Sequence, residues 1–201
     1  MNESLAELCG LHAGDGTLYK TNRGVVWELR GGEDEKTFYD TYIKELLTKI
    51  SNVLFWFGYR SGGVYGVRSC NKEFIQILFD AGFRFGCKTY TVRIPQQIRE
   101  ASKKHKAAFL RGLFATDGCF RLSKINNDTQ ATYPRASLKS ASKQLIKDAQ
   151  KILQEHNITA VASQSKNHFR LDINGQKQVQ AFANKIGILQ PKHQKRLKRY
   201  I

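Results

Sequence analysis

The sequence predicts an α+β fold of two related α-β-β-α-β-β-α units whose leading helices pack against each other. Three observations carry that reading. The segment Leu8-Cys9-Gly10-Leu11-His12-Ala13-Gly14-Asp15-Gly16 returns 102 positions later as Leu110-Arg111-Gly112-Leu113-Phe114-Ala115-Thr116-Asp117-Gly118, in the frame L-x-G-L-x-A-[GT]-D-G. The order of apolar periodicities after each copy is the same. Small residues fall four apart in both copies, Gly10 with Gly14 and Gly112 with Thr116, so each helix carries a face where a second backbone can come close.

The elements follow in order. After Gly16 the alternation predicts strands at 17–20 and 25–30, an amphipathic helix over 36–57, strands at 58–60 and 64–69, and a helix over 72–81. A connector is expected to hold a strand, Pro95 and a polar helix. After Gly118 the pattern predicts strands at 120–123 and 135–139, a helix over 143–156, strands at 158–162 and 168–173, and a helix over 176–186. The chain therefore divides into a first unit at 1–88, a connector at 89–104 and a second unit at 105–201.

Strand alternation assigns the faces. Phe169, Leu171 and Ile173 alternate with His168, Arg170 and Asp172; Ala136 and Leu138 with Arg135, Ser137 and Lys139; Val25, Trp27 and Leu29 with Val26, Glu28 and Arg30. Each sheet then has one face for helices and one polar face rich in long donors, which can enter a DNA major groove. An ordinary solvated sheet face would alternate in the same way, and it is the acidic repeat that favours the groove.

Composition narrows the partner. A net charge of +16 and a pI near 9.8 point to a polyanion, and DNA, RNA, the ribosome or an anionic membrane fit that alone equally well. Residues 1–100 hold 13 Lys/Arg against 12 Asp/Glu and residues 101–201 hold 20 against 5, so the second unit is expected to supply more of the affinity. No apolar run is long enough to span a membrane, and the expectation is a soluble intracellular monomer in cytoplasm, nucleoid or organelle. Cys9, Cys70, Cys87 and Cys119 form no C-x-x-C pair and read as small buried thiols. The basic run Lys192, His193, Lys195, Arg196, Lys198 and Arg199 after Pro191 reads equally as a helix along phosphates or a solvated tail.

The acids carry the chemistry. Packing the two small-residue faces together brings Asp15 and Asp117 to the same end of the helix pair, with Gly16 and Gly118 expected as left-handed caps. A carboxylate at a helix C-terminus opposes the macrodipole by roughly 0.3–1 kcal/mol, and two adjacent carboxylates repel. A divalent cation reverses both penalties, with the Gly14 and Thr116 carbonyls as further oxygen donors.

This frame resembles that of the LAGLIDADG homing endonucleases of the single-chain, two-motif kind, over nearly the whole chain. The tracts Lys106-Ala107-Ala108-Phe109-Leu110-Arg111-Gly112-Leu113-Phe114 and Ser142-Lys143-Gln144-Leu145-Ile146-Lys147-Asp148-Ala149-Gln150 are similar to that family as well. The resemblance implies a pseudo-twofold saddle of antiparallel sheets on duplex DNA, with hydrolysis of both strands of a long, asymmetric site using Mg²⁺ or another divalent cation such as Mn²⁺, leaving 3′ overhangs. It makes Asp15 and Asp117 the catalytic metal-binding acids, and Gly14 and Thr116 the positions whose carbonyls join them. Family members also place basic or amide side chains around the acids. That pattern is blurred here: Arg30 precedes Gly31-Gly32, Lys139 precedes Ser140, and Lys166 and Arg68 are further candidates that suit plain phosphate contact as well. Lys20, Arg23, Arg30, Arg60, Arg68, Arg121, Arg135, Ser137, Lys139, Lys166, His168 and Arg170 are the expected DNA-contacting residues. An intron maturase that binds its own RNA, or a DNA-binding protein of the same fold that does not cut, are the alternatives. Without an initiating Cys or Ser and a terminal His-Asn pair, a free-standing, intron-encoded protein is expected rather than an intein.

Overall fold

The computed structural model describes residues 1–60, 62–124 and 129–198. Helix α1 (Glu3–Gly14) starts at Asn2, whose side-chain oxygen accepts the Leu5 amide at 2.9 Å. It leads directly into the hairpin β1 (Gly16–Thr21) and β2 (Gly24–Gly32). The helical layer follows as α2 (Lys36–Phe38), a π-helical turn (Tyr39–Ile43) and α3 (Lys44–Ile50), then β3 (Trp56–Arg60), β4 (Val64–Ser69) and α4 (Lys72–Asp80). A short α5 (Gln96–Arg99) bridges to α6 (Lys103–Thr116). The second unit repeats the order with β5 (Gly118–Ser123), β6 (Tyr133–Ser140), α7 (Lys143–Glu155), β7 (Val161–Gln164), β8 (Phe169–Asn174) and α8 (Gln176–Lys185), and ends in α9 (Pro191–Leu197).

Both sheets are four-stranded and antiparallel with the same topology, β1-β2-β4-β3 and β5-β6-β8-β7. Their registers also correspond: Gly16 faces Leu29, which faces Val67, and Gly118 faces Leu138, which faces Leu171. The α+β fold of two related units is thus the observed one.

The units meet at α1 and α6. Leu8, Leu11, Leu110 and Leu113 are fully buried, at equivalent positions of the two motif copies. A Cβ on Gly10 would lie 2.0 Å from the Phe109 carbonyl oxygen, and one on Gly112 would lie 2.2 Å from that of Glu7. Each glycine therefore admits the other helix's backbone at a distance no other residue allows. Beside this contact Glu7, itself buried, is held by Arg111 from the other unit and by the Tyr42 hydroxyl.

Four expectations are corrected. The helix expected over 36–57 stops at Ile50, where Ser51 turns extended (φ −157°), and the apolar run after it enters β3. The connector holds no strand among the described residues; Val92 and Ile94 are buried, but the Val92 carbonyl accepts from the Ser142 hydroxyl instead of a ladder. The strand expected at 158–162 begins at Val161, because Ile158 and Ala160 sit in the core before pairing starts. Only Cys9 of the four cysteines is buried; Cys70, Cys87 and Cys119 are exposed.

The basic C-terminal run is neither a free tail nor a helix free to lie on phosphates along its length. Helix α9 docks on the second unit, with Leu197 fully buried, the His193 ring 5.1 Å from Phe120, and Arg196 Nη1 donating to the Phe120 carbonyl at 2.7 Å. Arg199 lies outside the described residues. Among the described residues no helix is long and apolar enough to cross a membrane.

Candidate active site

Asp15 and Asp117 occupy the same structural position. Each is the C-terminal cap of its motif helix, with φ/ψ of −89°/−5° for Asp15 and −88°/−4° for Asp117. Their amides close the helices onto the carbonyls of Leu11 at 3.1 Å and Leu113 at 3.0 Å. The expected left-handed glycine caps are not used, since neither Gly16 nor Gly118 has positive φ. Those glycines serve close approach instead: a Cβ on Gly16 would meet His12 Nδ1 at 2.1 Å, and one on Gly118 the Phe114 carbonyl at 2.2 Å. The strand can then leave the helix at once and hold the acid at the junction.

The helix contact brings the acids together. A Cβ on Gly14 would lie 2.0 Å from Thr116 Oγ1 and 3.3 Å from the Asp117 carboxyl carbon. Burial first, then Asp117 and then Glu35, push the Asp15 carboxyl up from 3.8 to about 7. Burial pushes Asp117 up to about 6, while the Lys88 ammonium pulls it down. Asp15 still opens to solvent, so the surrounding protein crowds its carboxylate without sealing it off.

Three groups that the motif did not indicate complete the cluster. Lys88 Nζ donates to the Ala13 carbonyl at 2.8 Å and to that of Gly14, satisfying the end of α1. Burial lowers its pKa, and the two aspartates hold it up. Gln190, also buried, donates through Nε2 to the Ala115 carbonyl at 3.1 Å and to Glu35 Oε1 at 3.0 Å. Glu35 also accepts from Lys192 Nζ at 2.9 Å. Lys88 and Gln190 stand 102 positions apart, the same offset as the acids, so the repeat itself held the signal. Each caps the motif helix of its own unit; one brings a positive charge and the other a neutral amide. Of the expected carbonyl donors, that of Gly14 is engaged by Lys88, while the Thr116 hydroxyl turns back to the Leu113 carbonyl at 3.0 Å.

The other expected residues lie on the sheets at varying distance from this centre. Arg30 and Lys139 are equivalent in register, each one residue beyond the partner of Gly16 or Gly118, and both are exposed. Arg30 is drawn to Glu28, whose second oxygen lies 3.8 Å from Arg60. Arg68, two strands from β1, stacks 4.7 Å over Trp56. Lys166 and His168 are in the connection from β7 to β8, two strands from β5. Lys20 lies 4.5 Å over the Phe85 ring, Arg23 is in the outer β1–β2 turn, and Arg121 is exposed on β5. Arg135 lies 5.3 Å over Tyr133, and Arg170 pairs with Asp172 at 2.7 Å. Ser137 is a correction: it is buried, with its hydroxyl 3.5 Å from the Cys119 carbonyl, because strands on both sides cover this central position. Glu28, on the same face of the first sheet, is likewise buried beneath arginines.

Among the described residues no group of three or more His, Cys, Asp or Glu side chains is arranged to hold a metal ion. Two converging carboxylates alone suit a hard cation such as Mg²⁺, which keeps several waters and takes one or two protein carboxylates together with substrate phosphate oxygens. The donor chemistry therefore fits a metal bound jointly with a phosphodiester.

Comparison with known proteins agrees with this geometry. Residues 104–187 match the LAGLIDADG-like domain family. Among solved structures, a variant of I-DmoI in complex with its target DNA in the presence of Mn is similar at a TM-score of 0.66 and 16% identity, covering 94% of this chain and 97% of that one. The LAGLIDADG meganuclease I-AabMI bound to uncleaved DNA gives 0.63 at 13% identity, covering 96% and 87%. Among curated proteins, the replicative DNA helicase DnaB of Synechocystis sp. is 31% identical over 109 residues, and the ribonucleoside-diphosphate reductase NrdEB subunit alpha of Bacillus subtilis is 37% identical over 78. The chain matches 51% of its own length to the first and 38% to the second, but only 12% and 7% of those proteins' lengths.

Proposed function

The chain has the two-unit fold of the LAGLIDADG homing endonucleases, and from that premise we propose that it is a divalent-metal-dependent endonuclease cutting both strands of a long, asymmetric duplex DNA site. The observation that carries the proposal is the convergence of Asp15 and Asp117 at matched helix ends, in an arrangement that disfavours their charged forms.

A metal held there with a DNA phosphate would supply a nucleophilic water and stabilise the leaving oxygen. The chain's own residues prepare for it. The helix pair fixes the carboxylates, so no ordering is needed when substrate arrives. Lys88 brings a partly buried ammonium beside both acids, where it can stabilise charge developing on a phosphate oxygen. Arg30 and Lys139, one on each sheet, are the exposed cations next to the acids in register. The two four-stranded sheets offer a long contact surface on both sides of the centre, and the different residues on their polar faces, such as Gly66 where the second sheet has Arg170, favour an asymmetric target. Mg²⁺ as the working metal, a monomeric enzyme and 3′ overhangs belong to the same proposal.

The test is a plasmid library carrying random inserts, incubated with Mg²⁺ and either the parent protein or Asp117→Asn. The parent should linearise a recurring site, while the variant binds that site with similar affinity and leaves it uncut. Binding by the parent without cutting would replace this reading with that of a DNA-binding protein of the same fold.

A further inference from the structure

The polar face of the first sheet buries an acid at a position where the second sheet has a serine. Glu28 precedes the Leu29 that faces Gly16, and Ser137 precedes the Leu138 that faces Gly118. Glu28 is 2% exposed, and a carboxylate so covered costs stability unless it is paired. The second sheet makes the same ladder without one, so the strand pairing does not require it.

Two arginines meet at this acid. Arg30 Nη2 pairs with one Glu28 oxygen, and Arg60 Nη2 lies 3.8 Å from the other. They come from β2 and β3, with β4 between them. In that space Arg30 faces Gly66, which faces Gly58. Neither glycine has a side chain to block Arg60 from crossing to the acid, and a Cβ on Gly58 would meet nothing within 4 Å. The result is a shallow open gap floored by glycine and flanked by two anchored guanidiniums. At its side Arg68 faces Glu28 in register and lies 4.7 Å over the exposed Trp56 ring. Among the described residues the second sheet has no such gap. Arg170 and Ser163 stand where the glycines would be, and Arg170 is bound to Asp172.

Anchoring changes what an arginine can read. A guanidinium carries five N–H donors in a rigid planar fork. The contacts with Glu28, and that of Arg60 Nη1 with the Tyr59 carbonyl at 3.4 Å, leave further donors for a base edge. Guanine presents two acceptors side by side in the major groove, N7 and O6, which a fork meets in one orientation. A fork held in place selects for that pattern, whereas a mobile one settles on any nearby phosphate and carries no sequence information.

We propose that Glu28 is a positioning residue that sets sequence specificity, presenting Arg30 and Arg60 over the glycine floor as two fixed forks, each for a guanine of the half-site under the first sheet. The inference rests on the duplex-DNA reading above. It gives sequence recognition to the unit whose charges nearly balance, with 13 Lys/Arg against 12 Asp/Glu in residues 1–100, and leaves most of the backbone attraction to the other.

Selection of bound duplexes from a randomised library without divalent metal, followed by competition with single-base substitutions, tests this independently of cutting. The parent should enrich a site in which changing either of two guanines to adenine weakens binding about 5- to 150-fold. Arg30→Ala and Arg60→Lys should each erase one of these preferences. Glu28→Gln should erase both, while binding unrelated duplex at least as well as the parent, because a negative charge has left the DNA-facing surface. Asp172→Asn removes a charge from the second sheet and should keep both preferences, which separates positioning from net charge. Arg60→Lys keeps a cation beside Glu28, so it tests the fork even if Glu28→Gln unfolds. Guanine preferences that survive in Glu28→Gln or in Arg60→Lys would overturn the proposal. So would their loss in Asp172→Asn, or a bound site with no guanine that depends on these arginines. A parent that binds no duplex would overturn the functional reading together with it.

Discussion

Replacing Asp15 by asparagine should make the metal-free protein more stable while abolishing its cutting. The Asp15 carboxyl titrates near 7 in the fold against 3.8 in an unperturbed chain, a gap of about three units, each equivalent to about 1.4 kcal/mol. Because Asp15 opens to solvent, screening reduces that ceiling of about 4 kcal/mol to roughly 1–2 kcal/mol. A carboxyl whose folded pKa is raised supports the fold while protonated. Its contribution is therefore whole below about pH 4 and is lost as pH rises through about 7. At pH 8 without metal, Asp15→Asn should melt about 2 to 8 °C above the parent, taking about 2–4 °C per kcal/mol for a chain of this size. The parent should gain stability on acidification from pH 8 to 5, and the variant should gain less. Added Mg²⁺ should then raise the melting temperature of the parent and not that of the variant, because only the parent retains both carboxylates. Calorimetric melts across pH, with and without Mg²⁺, measure all of this. A variant less stable than the parent at pH 8, with the same dependence on pH and metal, would refute the claim that the acids are held against their own electrostatics.

Gly112→Ala should drive a Cβ into the Glu7 carbonyl and cost about 3 kcal/mol, lowering the melting temperature by about 6 to 12 °C; a circular dichroism melt unchanged from the parent would contradict the close helix contact. Lys88→Met should reduce duplex cleavage by about 100-fold or more with little change in binding, measured by single-turnover kinetics on a selected target. Gln190→Met should have a smaller effect than Lys88→Met, since it removes a neutral donor in place of a charge.

The fold could be read from the sequence where one residue type answers one local need. The glycines at 10 and 112 have no other role than close helix approach, and the two acids sit at helix ends where stability alone would not keep them. Alternation identified the sheet faces, but it could not tell exposure from coverage. Glu28 and Ser137 are on the polar faces as expected, yet both are buried, one under arginines and the other at a central strand position. The apolar stretch 53–57 satisfied a helical period as well as a strand one, and only Ser51 marks the break. Lys88 and Gln190 carry no local signature, being a lysine among 33 basic residues and one glutamine outside any motif. Their roles depend on the chain returning from each unit to the end of its own motif helix, which is a tertiary fact. The 102-residue offset of the acids also separates Lys88 from Gln190, and it is the one sequence feature that links them.

In the proposed function Asp15 and Asp117 together form one metal-dependent centre that cuts both strands of DNA. Cleavage selection from a randomised duplex library with Mg²⁺, run in parallel on the parent, Asp15→Asn and Asp117→Asn, tests it most directly. The parent should enrich a single asymmetric site cut on both strands, and both variants should enrich no double-strand break. Undiminished double-strand cutting by either variant would show that the two acids do not form one cutting centre.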